Sequence, residues 1–150
     1  MAAPRNRDPI MTSYWIQNSD FSNPDGMDNA NPFQSVSHIL ELIDNYDWAK
    51  ENIYEAEQEK TGQDYCPAGI GIVKAPGVIL HICPQAKDKT ALIHLHYKLP
   101  QKLFGFIPTQ KDVQISFNYV PWAAFENCLQ SFMQSDYDRI AQALKTYRIN

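Results

Sequence analysis

Apolar residues recur at helical spacing towards both ends of the chain and at alternating spacing in its middle. Phe33, Val36, Leu40 and Ile43 fall on one helical face, with Ile39 widening the stripe. Asn31-Pro32-Phe33-Gln34 precedes them: Asn is a good N-cap, Pro suits the first helical position, and Gln34 completes a capping box. A helix is therefore predicted to open at Asn31 and to break near Asp44-Asn45-Tyr46-Asp47. A second helix is predicted to run to about Lys60, burying Ala49, Ile53 and Ala56, with Gly62 placed as its C-cap glycine.

The middle of the chain reads as strands. Residues 70–74 and 78–83 are short, apolar and β-branched, and Ala75-Pro76-Gly77 between them fits a type II turn. Residues 91–99 form a third strand after a polar loop. Residues 101–111 read as a loop whose Leu103-Phe104-Gly105-Phe106-Ile107 patch tucks inward. Residues 112–120 alternate most clearly: Val113, Ile115, Phe117 and Tyr119 against Gln114, Ser116 and Asn118, giving one buried and one wet face. Pro121 then opens a helix with the stripe Trp122, Phe125, Leu129 and Phe132. Ser135-Asp136-Tyr137-Asp138 caps a last one carrying Ile140, Ala143, Leu144 and Tyr147.

This order predicts an α+β fold: an antiparallel meander of about four strands, with two helices before and two after, packed mainly on one sheet face. Residues 1–30 lack any such pattern and are rich in Asn, Asp, Ser and Pro, which predicts a flexible or irregular N-terminal arm. Tyr14-Trp15-Ile16 is expected to dock on the body or pair as a short edge strand, and Met11 is a second candidate start. Residues 31–150 read as a single domain.

Composition narrows the function. The formal net charge is −4, and the lysines and arginines are scattered rather than gathered into the basic stripe of a nucleic-acid binder. No apolar run approaches the length needed to span a bilayer, so neither nucleic acid nor membrane is expected as a partner. Three cysteines, an odd number in a chain long enough to need no staple, are expected to be reduced thiols in the cytoplasm. Monomer and dimer both fit, since a meander leaves edge strands open.

The sharpest chemical cluster lies in the 78–97 hairpin. Side chains alternate along a strand, so His81 and Cys83 share one face, as do His94 and His96. If the core faces of the two strands align, these four residues meet on the opposite side, with Cys66 as a fifth candidate. Imidazole and thiolate are zinc ligands, yet the knuckle spacings of zinc sites are missing. Histidines that simply hydrogen-bond on a half-wet face are the plainer alternative. A cysteine nucleophile needs a base, and His81 stands two strand rises from Cys83, roughly 6–7 Å. Gly69-Ile70-Gly71 lacks the third glycine and following helix of a dinucleotide loop, and Asp25-Gly26-Met27-Asp28-Asn29 lacks the ligand pattern of a calcium loop. No cofactor is expected.

The second predicted helix turns Asp47, Glu51, Glu55 and Gln58 outward, with Trp48 and Tyr54 flanking them and Glu57 and Glu59 adding charge. Acidic residues beside aromatic anchors suit a basic protein partner. In size, acidity, aromatic content and lack of a catalytic motif the chain resembles bacterial immunity proteins. That resemblance implies a non-catalytic inhibitor that neutralises a toxin by occlusion, with Asp47, Trp48, Glu51, Tyr54, Glu55 and Gln58 as the expected contact. The alternatives are a metal- or thiol-dependent enzyme using His81, Cys83, His94 and His96, and a small-ligand module in the cleft between sheet and helices.

Overall fold

The computed structural model describes residues 11–22 and 30–150; residues 1–10 and the segment 25–29, rejected above as a calcium loop, lie outside them. The strands are β1 (Ser13–Gln17), β2 (Asn31–Pro32), β3 (Gly69–Ala75), β4 (Val78–Gln85), β5 (Thr90–Leu103) and β6 (Ile107–Pro121). The helices are α1 (Val36–Asn45), α2 (Trp48–Thr61), α3 (Phe125–Met133) and α4 (Tyr137–Ala143). The fold is α+β, and the expected meander is present as β3–β6 inside a larger antiparallel sheet of order β2-β1-β3-β4-β5-β6.

Of the two strands before α1, the first matches the short strand offered for Tyr14-Trp15-Ile16, and the second was not expected. Residues 13–17 pair with β3 rather than trailing as an irregular arm, and they bury Tyr14 and Trp15. Asn31-Pro32 pairs with Ser13 and Tyr14, so the predicted capping box is extended chain instead. Helix α1 starts later, where the Ser35 hydroxyl accepts the His38 N–H at 3.0 Å. Competition between two adequate caps is settled here by the sheet, which needs Asn31 as a strand residue.

The core lies on one sheet face. Leu80 faces Leu95 and Ile82 faces Ile93 across β4–β5, and Ile115 and Phe117 continue the layer on β6. Ile39 and Ile43 of α1, Phe125, Leu129 and Phe132 of α3, and Ile140 and Leu144 cover it. Lys74 ties sheet to helices: its Nζ donates to the Phe132 carbonyl at 2.7 Å and to the Tyr137 hydroxyl at 3.0 Å, and the same carbonyl accepts the Ser135 N–H at 3.0 Å in the turn that ends α3. Tyr119 departs from the predicted alternation. An extra β6 residue between the pairs Ile93↔Phe117 and Ala91↔Val120 makes a bulge; Tyr119 sits at φ 60° and turns outward while Val120 turns in. No helix among the described residues is long and apolar enough to cross a membrane.

Candidate functional site

On the sheet face away from the core, one row crosses five strands. Trp15 pairs with Gly71, Gly71 with His81, His81 with His94, and His94 with Ser116. The register condition posed by the sequence is met, and His81, Cys83, His94 and His96 share this face. The glycine explains the row. A Cβ on Gly71 would stand 2.2 Å from the Trp15 indole, so only glycine lets that ring lie across β3. The indole stacks on His81 with centroids 5.9 Å apart, and His81 stacks on His94 at 6.1 Å. Gly69 does the same for the thiol: its Cβ would meet the Ile82 carbonyl at 2.6 Å, His81 Nε2 at 2.7 Å and Cys83 Sγ at 3.1 Å.

This geometry suits packing better than metal or thiol chemistry. Ring-nitrogen lone pairs lie in the ring plane, so imidazoles stacked 24° from parallel do not converge on a common point. The His94 Nδ1 is 2.7 Å from the Ser116 hydroxyl. Among the described residues, no three His, Cys, Asp or Glu side chains are grouped to hold a metal ion. Burial, reinforced by the charges of His94 and His96, pushes His81 down to about 4, and burial also lowers His94. Burial, with Glu55 and Cys66 adding, pushes the Cys83 thiol up to about 12; Cys66 is raised for the same reasons of burial and Glu55. At neutral pH the Cys83–His81 neighbours, 3.8 Å apart, are thus a neutral thiol and a neutral imidazole, not an activated pair.

Helix α2 is rotated from its predicted orientation. Ile53 is 61% exposed and Ala49 and Ala56 are exposed with it, while Trp48 is only 2% exposed and donates from Nε1 to the Ile43 carbonyl at 2.7 Å. The expected outward acids face neighbouring loops. Glu51 accepts the Ser19 N–H at 2.9 Å and the Ser19 hydroxyl, and Glu55 accepts the Ala68 N–H at 2.9 Å. Burial, ahead of the Glu51 charge, raises the Glu55 carboxyl. Asn52 bridges the Pro84 carbonyl and the Ala86 N–H. Asp47 caps the helix by accepting the Lys50 N–H, and Tyr54 and Gln58 are half-buried. The six expected contact residues therefore do not form one exposed patch. The reason is physical: three loop N–H groups need acceptors, which outweighs burial of a stripe of two alanines and one isoleucine.

Among the described residues, a run of bare apolar side chains lies at the far end of the β5–β6 ribbon. Strand β4 pairs with β5 only as far as His96, and beyond it residues 98–112 form a two-stranded arm. The predicted inward-tucking loop is this arm, and its patch points outward: Phe104 is 81% and Phe106 74% exposed, and Leu99, Leu103 and Ile107 are exposed beside them. The chain reverses at Phe104-Gly105, at φ 54° and 83°, and the Phe106 N–H donates to the Leu103 carbonyl at 3.3 Å. Gly and Asn are at home at such angles, whereas a phenylalanine there is strained by about 1 kcal/mol or more. At the base, Lys98 and Asp112 pair at 2.8 Å, which makes an exposed ion pair of little weight.

Comparison with protein-family models, with curated proteins and with solved structures finds no match for this chain. Sequence reasoning located the histidine row but missed Trp15, Gly69, Gly71 and Ser116, which shape it. The glycine pair Gly69-Ile70-Gly71 was the available signal, since glycines inside a strand mark close approach. The arm tip was visible as an apolar run, but not its exposure.

Proposed function

We propose that this chain is a non-catalytic binding domain that occludes a protein partner, and that the tip of the β5–β6 arm is its principal contact. The observation that carries the proposal is the tip itself: two phenylalanines more than two-thirds exposed, one of them at a strained positive φ. Neither feature helps folding, because exposed side chains gain no burial and strain costs stability. Aromatic anchors are the usual centre of a protein interface.

The arm favours side-chain docking over strand addition. Pro100, Pro108 and Lys111 are the residues that blunt a free edge, and the inner part of the β6 edge is covered where Ile149 donates to the Ser116 carbonyl. Residues 98–112 hold three lysines and one aspartate in a chain of net charge −4. The complementary partner surface is therefore an apolar cleft rimmed by carboxylates. With Glu51 and Glu55 turned to loops, the acidic helix no longer argues for a basic partner. An immunity-type inhibitor is one form of this proposal, supported by the chain's size and acidic, aromatic-rich composition.

The test is a Phe104→Ser/Phe106→Ser double variant. Its folding stability should stay within about 0.5 kcal/mol of the parent, as expected for exposed positions, while affinity for the partner falls by about tenfold or more. Unchanged affinity would remove the arm from the interface.

A further inference from the structure

Helices α3 and α4 enclose a second feature, separate from the arm and from the histidine row. A cleft of about 460 Å³ opens between them, within the usual range of small-molecule sites. Its floor is apolar, made by the buried side chains of Cys128, Ile140 and Leu144, with Ala124 and Ala143 along the walls. Burial pushes the Cys128 thiol up to about 11, so the floor carries no charge at neutral pH.

Two polar side chains in the lining bear on what this cleft could hold. Ser131 is only 5% exposed and lines the cleft. A serine hydroxyl can donate a hydrogen bond to a carboxylate. Arg139 lies at the rim, and Lys98–Asp112 is the one ion pair among the described residues, so its guanidinium faces no carboxylate. Arginine is suited to bidentate capture of a carboxylate. In the groove beside α2, of about 480 Å³, the Asn52 amide is already spent on Pro84 and Ala86.

From an apolar floor, a serine hydroxyl in the lining and a rim guanidinium that faces no carboxylate, we infer that the α3–α4 cleft binds a small carboxylic acid with an apolar body. The carboxylate pairs with Arg139 and accepts from the Ser131 hydroxyl, and the hydrocarbon part lies on Cys128, Ile140 and Leu144. No covalent step is involved. This site is independent of the arm, so either proposal stands if the other fails.

The test is titration of the full chain with octanoate, followed by backbone NMR shifts and calorimetry. Octanol, octylamine and acetate serve as controls that remove the charge, reverse it or remove the apolar body. Saturable one-to-one binding of octanoate is expected, with shifts confined to residues of α3, α4 and the following turn. Arg139→Gln should weaken it by about tenfold or more, the usual weight of a charge-assisted pair. Ala143→Trp, at an exposed wall position that tolerates substitution, should abolish it by filling the cleft. Equal binding of octanol and octanoate, unchanged affinity in both variants, shifts centred elsewhere, or no saturable binding would each overturn the assignment.

Discussion

Strands β5 and β6 carry apolar residues along their whole length, but only half of that length is covered. At the base, Ile93, Leu95, Ile115 and Phe117 are buried under α3 and α4. At the tip, Leu103, Phe104, Phe106 and Ile107 face solvent on a ribbon with no third strand beside it. Similar residues thus do different work: at the base they hold the fold, and at the tip they add nothing to it. A pair of strands alone is marginal in water, so the arm borrows its order from the sheet below. Apolar character kept without burial is the observation on which the proposed contact rests.

The largest effect should come from breaking the base. Phe117→Ala deletes a fully buried ring beneath the helices and is expected to cost about 3–5 kcal/mol, read by urea unfolding. A loss under about 1 kcal/mol would show that base and tip are energetically alike.

Next is pH, which acts on the base and not on the tip. His81 is held at about 4 in the folded state, below the ~6.5 of an unfolded imidazole, so the unfolded chain takes up the proton first. Stability is full above about pH 6.5 and is lost as pH falls towards 4, by on the order of 3 kcal/mol. His94 is shifted the same way and adds to the slope. Denaturant midpoints measured at intervals between pH 7.5 and 4.5 should show this decline, and His81→Gln should flatten it.

Gly71→Ala sharpens the comparison on the opposite sheet face. The new methyl would meet the Trp15 indole at 2.2 Å, and the expected cost is about 1–3 kcal/mol with disturbed tryptophan fluorescence. The smallest effect, with the opposite sign, should come at the tip. Phe104→Asn relieves an aromatic at φ 54° and should raise stability by up to about 1 kcal/mol, seen as a higher unfolding temperature.

Much of this architecture was legible because alternation and helical spacing report burial directly. The meander β3–β6, the Pro76-Gly77 reversal with Gly77 at φ 74°, and the Gly62 cap at φ 70° all follow from local chemistry. Asn31 could cap a helix or join a strand, and only pairing with Tyr14 decides it. Periodicity showed that α2 has an apolar stripe and an acidic stripe, but not which one the loops would claim. That depended on distant N–H groups at Ser19 and Ala68, which no local pattern announces. The patch from Leu103 to Ile107 misled for a related reason: apolar residues normally tuck inward, and their exposure is visible only once β5 is seen to outrun β4.

Site-specific photo-cross-linking tests the arm most directly. A photoreactive residue is placed at position 104 on the tip and, in a second protein, at position 57 on the exposed side of α2, each expressed in the chain's native host. A discrete protein adduct from position 104, lost in the Phe106→Ser background, and none from position 57 is the predicted result. An adduct from position 57 with none from position 104 would contradict the arm as the contact and return the interface to the helix.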